Sequence, residues 1–323
     1  MANNNFYVTE VKEKLKKAKN ITILTHLNPD ADTIGTGLGI YNLLKQERTK
    51  RVEIVNASNM LPRYLDFLPY FEKIKYKIDF EDSLIIACDC GAIDRLGFDL
   101  RNREILNIDH HNSNSYYGDI NVVIPEYASA SQVAYRLFQK IYTIDTASAT
   151  CFYAALLSDT RYFTTSAVNN EVFEVAKELV GFGVDPASIA FNFTQRRSLS
   201  SVRILERALS SLTLSCEGRI ATLYVTQDDI LATGAKMPDM EGIVDYARSL
   251  ATVEIGLFAI EMKDGVRISL RSKSVDVSNV SLAFGGGGHK VAAGFICQQT
   301  TLHETIDTIL DKIKELGLLN GKK

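Results

Sequence analysis

Apolar positions along the first two-thirds of the chain follow two alternating rhythms. Short aliphatic or β-branched runs at 21–25, 52–55, 84–88 and 103–108 read as buried strands. Around them, apolar residues fall at helical spacing. Val8, Val11 and Leu15 mark an amphipathic helix over 8–18, and Leu38, Tyr41 and Leu44 mark one from Asp32 to about Lys45. Further helices are predicted at 130–142, 146–158, 169–182 and 185–194. Strands that alternate with such helices build an α/β fold, a mostly parallel sheet with helices on both faces.

The rhythm then changes. A polar helix-like stretch at 196–211, carrying Arg196, Arg197, Arg203, Glu206 and Arg207, lacks the Gly and Pro of a loose tether and reads as a semi-rigid connector. Beyond it, strands at 219–225, 253–262 and 266–272 lie close together, with helical patterns at 240–248, 276–284 and 302–315. This is the pattern of a smaller α/β domain with a mixed sheet. The predicted organisation is therefore a first domain over 1–194, a helical connector over 195–211 and a second domain over 212–323, which a chain of 323 residues can accommodate.

Charge narrows the range of partners. Lys and Arg total 36 against 39 Asp and Glu, a net charge of −3, which argues against a broad basic surface for long nucleic acids. A small phosphorylated ligand held by a few placed cations fits better. The five cysteines, Cys88, Cys90, Cys151, Cys216 and Cys297, are odd in number and mostly inside apolar runs, so reduced thiols are expected. Cys88-Asp89-Cys90 has no second cysteine pair to complete a soft-metal site. No apolar run approaches membrane-spanning length and the N-terminus is polar, so no membrane and a cytoplasmic location are expected.

The chemistry gathers where the apolar runs stop. His26, Asp30 and Asp32 follow the first strand, Asp89 ends a later one, Asp109-His110-His111 ends another, and Asp159 follows the run 151–157. In an open parallel sheet such strand-end loops converge on one crevice. Five carboxylates and three imidazoles form a hard, oxygen-rich set suited to two divalent cations rather than one zinc. Two cations about 3.5–4 Å apart serve in-line attack on a phosphate ester. Asp30 and Asp32 flank one residue of a turn opened by Asn28-Pro29 and can face different cations, with Asp89 between them as a bridge. Taken singly, each acid has a blander reading: Asp32 can cap the following helix, and Asp159 can simply end one. Their joint placement favours a site.

Glycines add a second feature. Gly35, Gly37 and Gly39 do not follow the dinucleotide spacing and are read as close helix packing against the sheet. The run Gly285–Gly288 can wrap an anion with backbone N–H groups, near charge from Arg267, Arg271, Lys273, His289 and Lys290. A flexible hairpin is the alternative.

Together these residues resemble the DHH phosphoesterase family. His26, Asp30 and Asp32 match its first motif, Asp89 the second, Asp109-His110-His111 the third and Asp159 the fourth. The stretch from Gly285 through His289-Lys290 to Ala293-Gly294 matches the glycine-rich signature of the DHH-associated C-terminal domain, and no motif position departs from the pattern. The resemblance implies two Mn²⁺ per chain, with Mg²⁺ or Co²⁺ as substitutes: one held by His26, Asp30 and Asp89, the other by Asp32, Asp89, His110 and Asp159. Asp109 would orient ligands, and His111 would contact the scissile phosphate. The C-terminal domain would grip substrate through Arg271, Ser272, Gly287 and His289. The implied activity is hydrolysis by hydroxide activated between two metals. Within the family the chain resembles the branch that degrades short oligonucleotides and dephosphorylates pAp. That reading is placed ahead of the branch acting on c-di-AMP and pApA, and of a non-catalytic nucleotide-binding regulator. A homodimer is compatible with such a chain, although no interface signature marks one.

Overall fold

Short β-branched runs form the first sheet in the computed structural model, which describes residues 3–319. Contacts divide the chain into two units, Met1–Arg196 and Arg197–Lys323. In the first, helix α1 (Asn3–Lys17) precedes β1 (Asn20–Thr25), α2 (Ala31–Leu44), β2 (Arg51–Asn56), β3 (Ile74–Lys75), β4 (Leu84–Cys88), β5 (Ile105–Asp109) and β6 (Ile120–Val123). Helices α3 (Ala130–Phe138), α4 (Thr146–Asp159), α5 (Asn170–Gly181) and α6 (Pro186–Thr194) follow. All six strands are parallel, in the order β3-β2-β1-β4-β5-β6. Every residue of β4 and β5 is buried, which explains why their sequences show an unbroken apolar run rather than alternation. The two-residue β3 and the four-residue β6 are too short to have announced themselves in the pattern.

One face of this sheet packs Ile23, Ile54, Ile86 and Ile108 against the helices through Leu38, Phe138 and Phe152. The opposite face carries Leu24, Val55, Ile85, Ala87 and Ile105, covered by Cys90, Leu96 and Leu100 from the segment after β4. Strand order reverses between β1 and β4: the chain steps outward one way to β2 and the other way to β5. The loops leaving β1 and β4 therefore diverge and open a crevice at their carboxyl ends.

Two of the three spaced glycines serve a helix rather than the sheet. A Cβ on Gly35 would sit 2.6 Å from the Cys151 carbonyl oxygen, and one on Gly39 would sit 2.3 Å from the Phe152 ring. Only Gly37 faces the strands, 3.0 Å from Thr25 and 3.1 Å from Ile54. The missing side chains let α2 and α4 meet at backbone distance, which sets the position of Asp159 at the end of α4.

The second unit contains α7 (Leu199–Ser210), β7 (Thr213–Ser215), β8 (Ile220–Val225), α8 (Gln227–Thr233), α9 (Ile243–Ser249), β9 (Ile255–Met262) and β10 (Gly265–Ser272). It ends with α10 (Ser278–Ala283), β11 (Gly287–His289), β12 (Ala292–Gln298) and α11 (Leu302–Glu315). Its sheet runs β11-β12-β10-β9-β8-β7 and is mixed: β8 and β9 are parallel, and the other pairs are antiparallel. Ile306, Ile309 and Ile313 of α11 cover one face. The other is covered by Val244 and Ala247 of α9 with Ile204 and Ala208 of α7, so the expected connector stretch carries a helix packed into this unit.

Candidate metal centre

β1 delivers His26 into the crevice, and a short turn returns the chain into α2. Asp30 caps that helix: its Oδ1 accepts from the backbone N–H of Asp32 at 3.0 Å and of Thr33 at 3.1 Å. The cap falls on Asp30 rather than Asp32, and it aims the second oxygen of Asp30 toward His26, with Oδ2 3.8 Å from Nε2. Asp32 instead reaches the start of α3, accepting from the N–H of Ala130 at 2.7 Å and of Ser131 at 3.1 Å.

Asp89 leaves β4 with φ at +55°, a left-handed conformation that Asp tolerates better than most non-glycine residues. This bend turns its carboxylate back across the sheet end. Oδ2 lies 3.5 Å from His26 Nε2, and Oδ1 lies 3.6 Å from His110 Nε2. The same His110 nitrogen stands 3.8 Å from Asp32 Oδ2 and 3.6 Å from Asp159 Oδ2. Potential ligand atoms thus fall into overlapping groups: His26, Asp30 and Asp89; Asp32, His110 and Asp159; and Asp89, His110 and His111.

Backbone carbonyls set both imidazoles. His26 Nδ1 lies 2.9 Å from the Leu27 oxygen and His110 Nδ1 lies 3.2 Å from the Tyr127 oxygen, so each ring carries its proton on Nδ1 and presents Nε2 to the carboxylates. Asp109 is fully buried and bonds His111 Nδ1 at 2.6 Å, while Asn114 Nδ2 donates to its other oxygen at 2.5 Å.

The electrostatics are those of a cluster short of positive charge. Burial pushes the Asp89 carboxyl well above the usual range, and repulsion from Asp32, Asp30, Asp109 and Asp159 pushes it the same way. Burial and the charges of Asp32 and Asp30 raise Asp159 well above the usual range too, and burial raises Asp32. Burial also works to raise Asp109, but hydrogen bonds from His111 and Asn114 outweigh it and hold this carboxyl below the usual range. Burial lowers His26. Asp89 Oδ1 is buried without a hydrogen-bond partner, an arrangement that costs free energy unless a cation is there to meet it. The donor set and this orphaned oxygen both fit divalent cations.

The remaining site candidates lie in the second unit. Arg271 on β10 pairs in register with Ala292 on β12, and Ala292 with His289 on β11, so the three stand in one row across the sheet. Directly paired residues project from the same face. Gly287 and His289 are exposed. Ser272 is buried and donates its hydroxyl to the Val275 carbonyl at 2.5 Å, closing the turn after β10. The glycine run is an edge strand in its second half. Gly286 lies where a Cβ would fall 2.4 Å from that of Phe295, and Gly288 adopts φ +139°.

Several supporting groups left no signal in the sequence. Thr33 accepts from the His26 N–H at 3.3 Å and donates to the Cys88 carbonyl at 2.8 Å, tying the β1 and β4 loops together. Asn114, the Tyr127 carbonyl and the N-terminus of α3 are likewise ordinary in sequence and are recruited by folding alone. Arg95, in the turn after Asp89, brings its guanidinium to 3.3 Å from His26 Nδ1.

The DHH family N-terminal domain matches residues 20–156, and the DHHA1 domain matches residues 217–316. A Thermus thermophilus protein named bifunctional oligoribonuclease and PAP phosphatase NrnA is 30% identical over 316 residues, covering 94% of this chain and 93% of that protein. A Bacillus subtilis protein of the same name is 24% identical over 293 residues, covering 88% and 92%. The crystal structure of an exopolyphosphatase-related protein from Bacteroides fragilis superposes with a TM-score of 0.89 at 25% identity, covering 97% of each chain. RecJ from Thermus thermophilus in complex with Mn²⁺ has a similar fold, with a TM-score of 0.57 at 14% identity over 97% of this chain and 55% of that one.

Proposed function

The chain belongs to the DHH family and carries its DHHA1 domain; it is a metal-dependent hydrolase of phosphoester bonds, and we propose that it cuts short oligoribonucleotides to mononucleotides and removes phosphate from pAp. The observation that carries this reading is the division of Asp89, whose two oxygens face two different imidazoles at 3.5 Å and 3.6 Å. The names of the Thermus and Bacillus relatives support the choice of substrates.

His26, Asp30 and Asp89 would hold one ion, and Asp32, Asp89, His110 and Asp159 the other. A mixed carboxylate and imidazole set suits Mn²⁺. When bound, the ions lower the pKa of water and neutralise charge on the phosphate oxygens. Asp109 fixes the ring of His111, which stabilises charge developing on the scissile phosphate and the leaving oxygen. Arg271, Gly287 and His289 bind the substrate, and Ser272 holds the turn that follows Arg271. A cytoplasmic location accords with these substrates, and among the described residues no helix is long and apolar enough to cross a membrane.

Turnover of a labelled dinucleotide, pAp, c-di-AMP and a five-nucleotide RNA with Mn²⁺ present tests the proposal. Mononucleotide release from the dinucleotide and RNA, with phosphate release from pAp, is the expected result. A clear preference for c-di-AMP would move the substrate to cyclic dinucleotides, and no turnover with two ions bound would end the hydrolase assignment.

A further inference from the structure

We propose that Arg95 determines substrate specificity by binding a second, non-scissile phosphate, so that the site favours nucleotides carrying a terminal phosphate beside the ester being cut. The proposal rests on the phosphoesterase reading and deepens it. Arg95 sits in the 3₁₀ turn Ile93–Leu96 after Asp89. Its carbonyl accepts from the Leu27 N–H at 2.8 Å, and Leu96 beside it is fully buried. Gly97 closes the turn at φ +75°, where a Cβ would lie 2.7 Å from that of Ala57. The backbone under Arg95 is thereby locked against the loop that carries His26.

Arg95 is an exposed residue whose guanidinium reaches to 3.3 Å from Nδ1 of the buried His26. That nitrogen already has the Leu27 carbonyl as acceptor at 2.9 Å, so the imidazole proton points there and the arginine gains no acceptor from the ring. Among the described residues Arg95 forms no ion pair with a carboxylate. A guanidinium with its donors unspent suits a phosphate, which it can take through two parallel hydrogen bonds.

Position decides which phosphate. The carboxylates gather at His26 Nε2, whereas Arg95 lies at Nδ1, on the other nitrogen of the ring. The scissile phosphate would lie on the Nε2 side, where the carboxylates would hold the ions; a phosphate on the Nδ1 side lies beyond those ligands and needs a cation of its own. Arg95 supplies it. The 5′-phosphate of pApA and the second phosphate of pAp are of this kind.

The test compares pApA with ApA, each also as a hydrolysis-resistant phosphorothioate, on Mn²⁺-loaded wild type, Arg95→Ala and Arg95→Lys. Arg95→Ala is expected to weaken binding of the 5′-phosphorylated phosphorothioate about 10- to 100-fold and to lower kcat/KM for pApA by a similar factor. Binding and cleavage of the unphosphorylated dinucleotide should stay within about threefold of wild type, and Arg95→Lys should restore part of the difference. Manganese content per chain should not change. Equal losses on both ligands, or loss of metal, would overturn the proposal and make Arg95 a support for His26. The phosphorothioate comparison requires no turnover, so it stands apart from failure of the hydrolase reading itself.

Discussion

The backbone N–H of Ala130 donates to Oδ2 of Asp32 at 2.7 Å, joining residues 98 positions apart. Ser131 N–H takes the other oxygen at 3.1 Å, so the positive end of α3 faces a carboxylate that is itself buried among acids. This contact fixes the direction in which Asp32 faces His110. Asp32→Asn keeps an acceptor for one of the two N–H groups and removes the charge. The expected outcome is loss of about one bound ion per chain, read by elemental analysis, with the fold retained by circular dichroism. A variant that still holds two ions would place the second ion elsewhere.

Asp89→Asn separates function from stability. Asn accepts the left-handed backbone at φ +55°, whereas Ala would add strain there. Turnover should fall roughly 10³-fold or more, as when a member of an interdependent catalytic set is removed. In the presence of chelator the same variant should melt above wild type, because it removes a buried carboxylate repelled by Asp32, Asp30, Asp109 and Asp159. Thermal melts of both chains in EDTA decide the point.

Metal and protons compete for the same groups. Asp89, Asp159 and Asp32 are raised above the ordinary 3.8, so the folded, metal-free chain binds more protons than the unfolded one. The stability they contribute is present below that value and is lost as pH rises through the raised ones. His26 runs the other way: lowered from 6.5, it contributes stability above that value, which is lost as pH falls through its folded pKa. Both kinds of proton must be absent for the metal to bind. The gain in Tm on adding Mn²⁺ should therefore be larger at about pH 8 than at about pH 6. An equal gain at both would mean that these carboxylates are not the ligands.

Gly35 tests the seating of α4. A methyl group 2.6 Å from the Cys151 carbonyl and 2.8 Å from Ala155 Cβ forces the helices apart. Gly35→Ala is expected to destabilise the chain by about 1–3 kcal/mol in chemical denaturation. Displacing α4 also moves Asp159, so manganese affinity should fall in the same variant.

In the second unit, Arg271→Ala and His289→Ala should each raise KM by roughly tenfold, the scale of one charge-assisted contact, with manganese content unchanged. Loss of metal from either variant would contradict a role confined to substrate.

The main strands and helices of the first unit, and the acids that interrupt them, were legible in the sequence alone. Buried strands must be apolar and helices must repeat near 3.6 residues, so β1, β4, β5, α2 and α4 are visible in the chain by themselves. The acids could be picked out because a carboxylate at the end of an apolar run interrupts that pattern. Periodicity reports which face of an element is buried, and not what it is buried against. Only folding decided that Asp30 caps α2 while Asp32 turns to the N-terminus of α3, that Gly35 and Gly39 admit α4 rather than the sheet, and that Ser272 faces inward. Asp89 shows the same division. Its place at the end of an apolar run is in the sequence, but the left-handed bend that gives one oxygen to His26 and the other to His110 depends on strands that pair only in the assembled sheet.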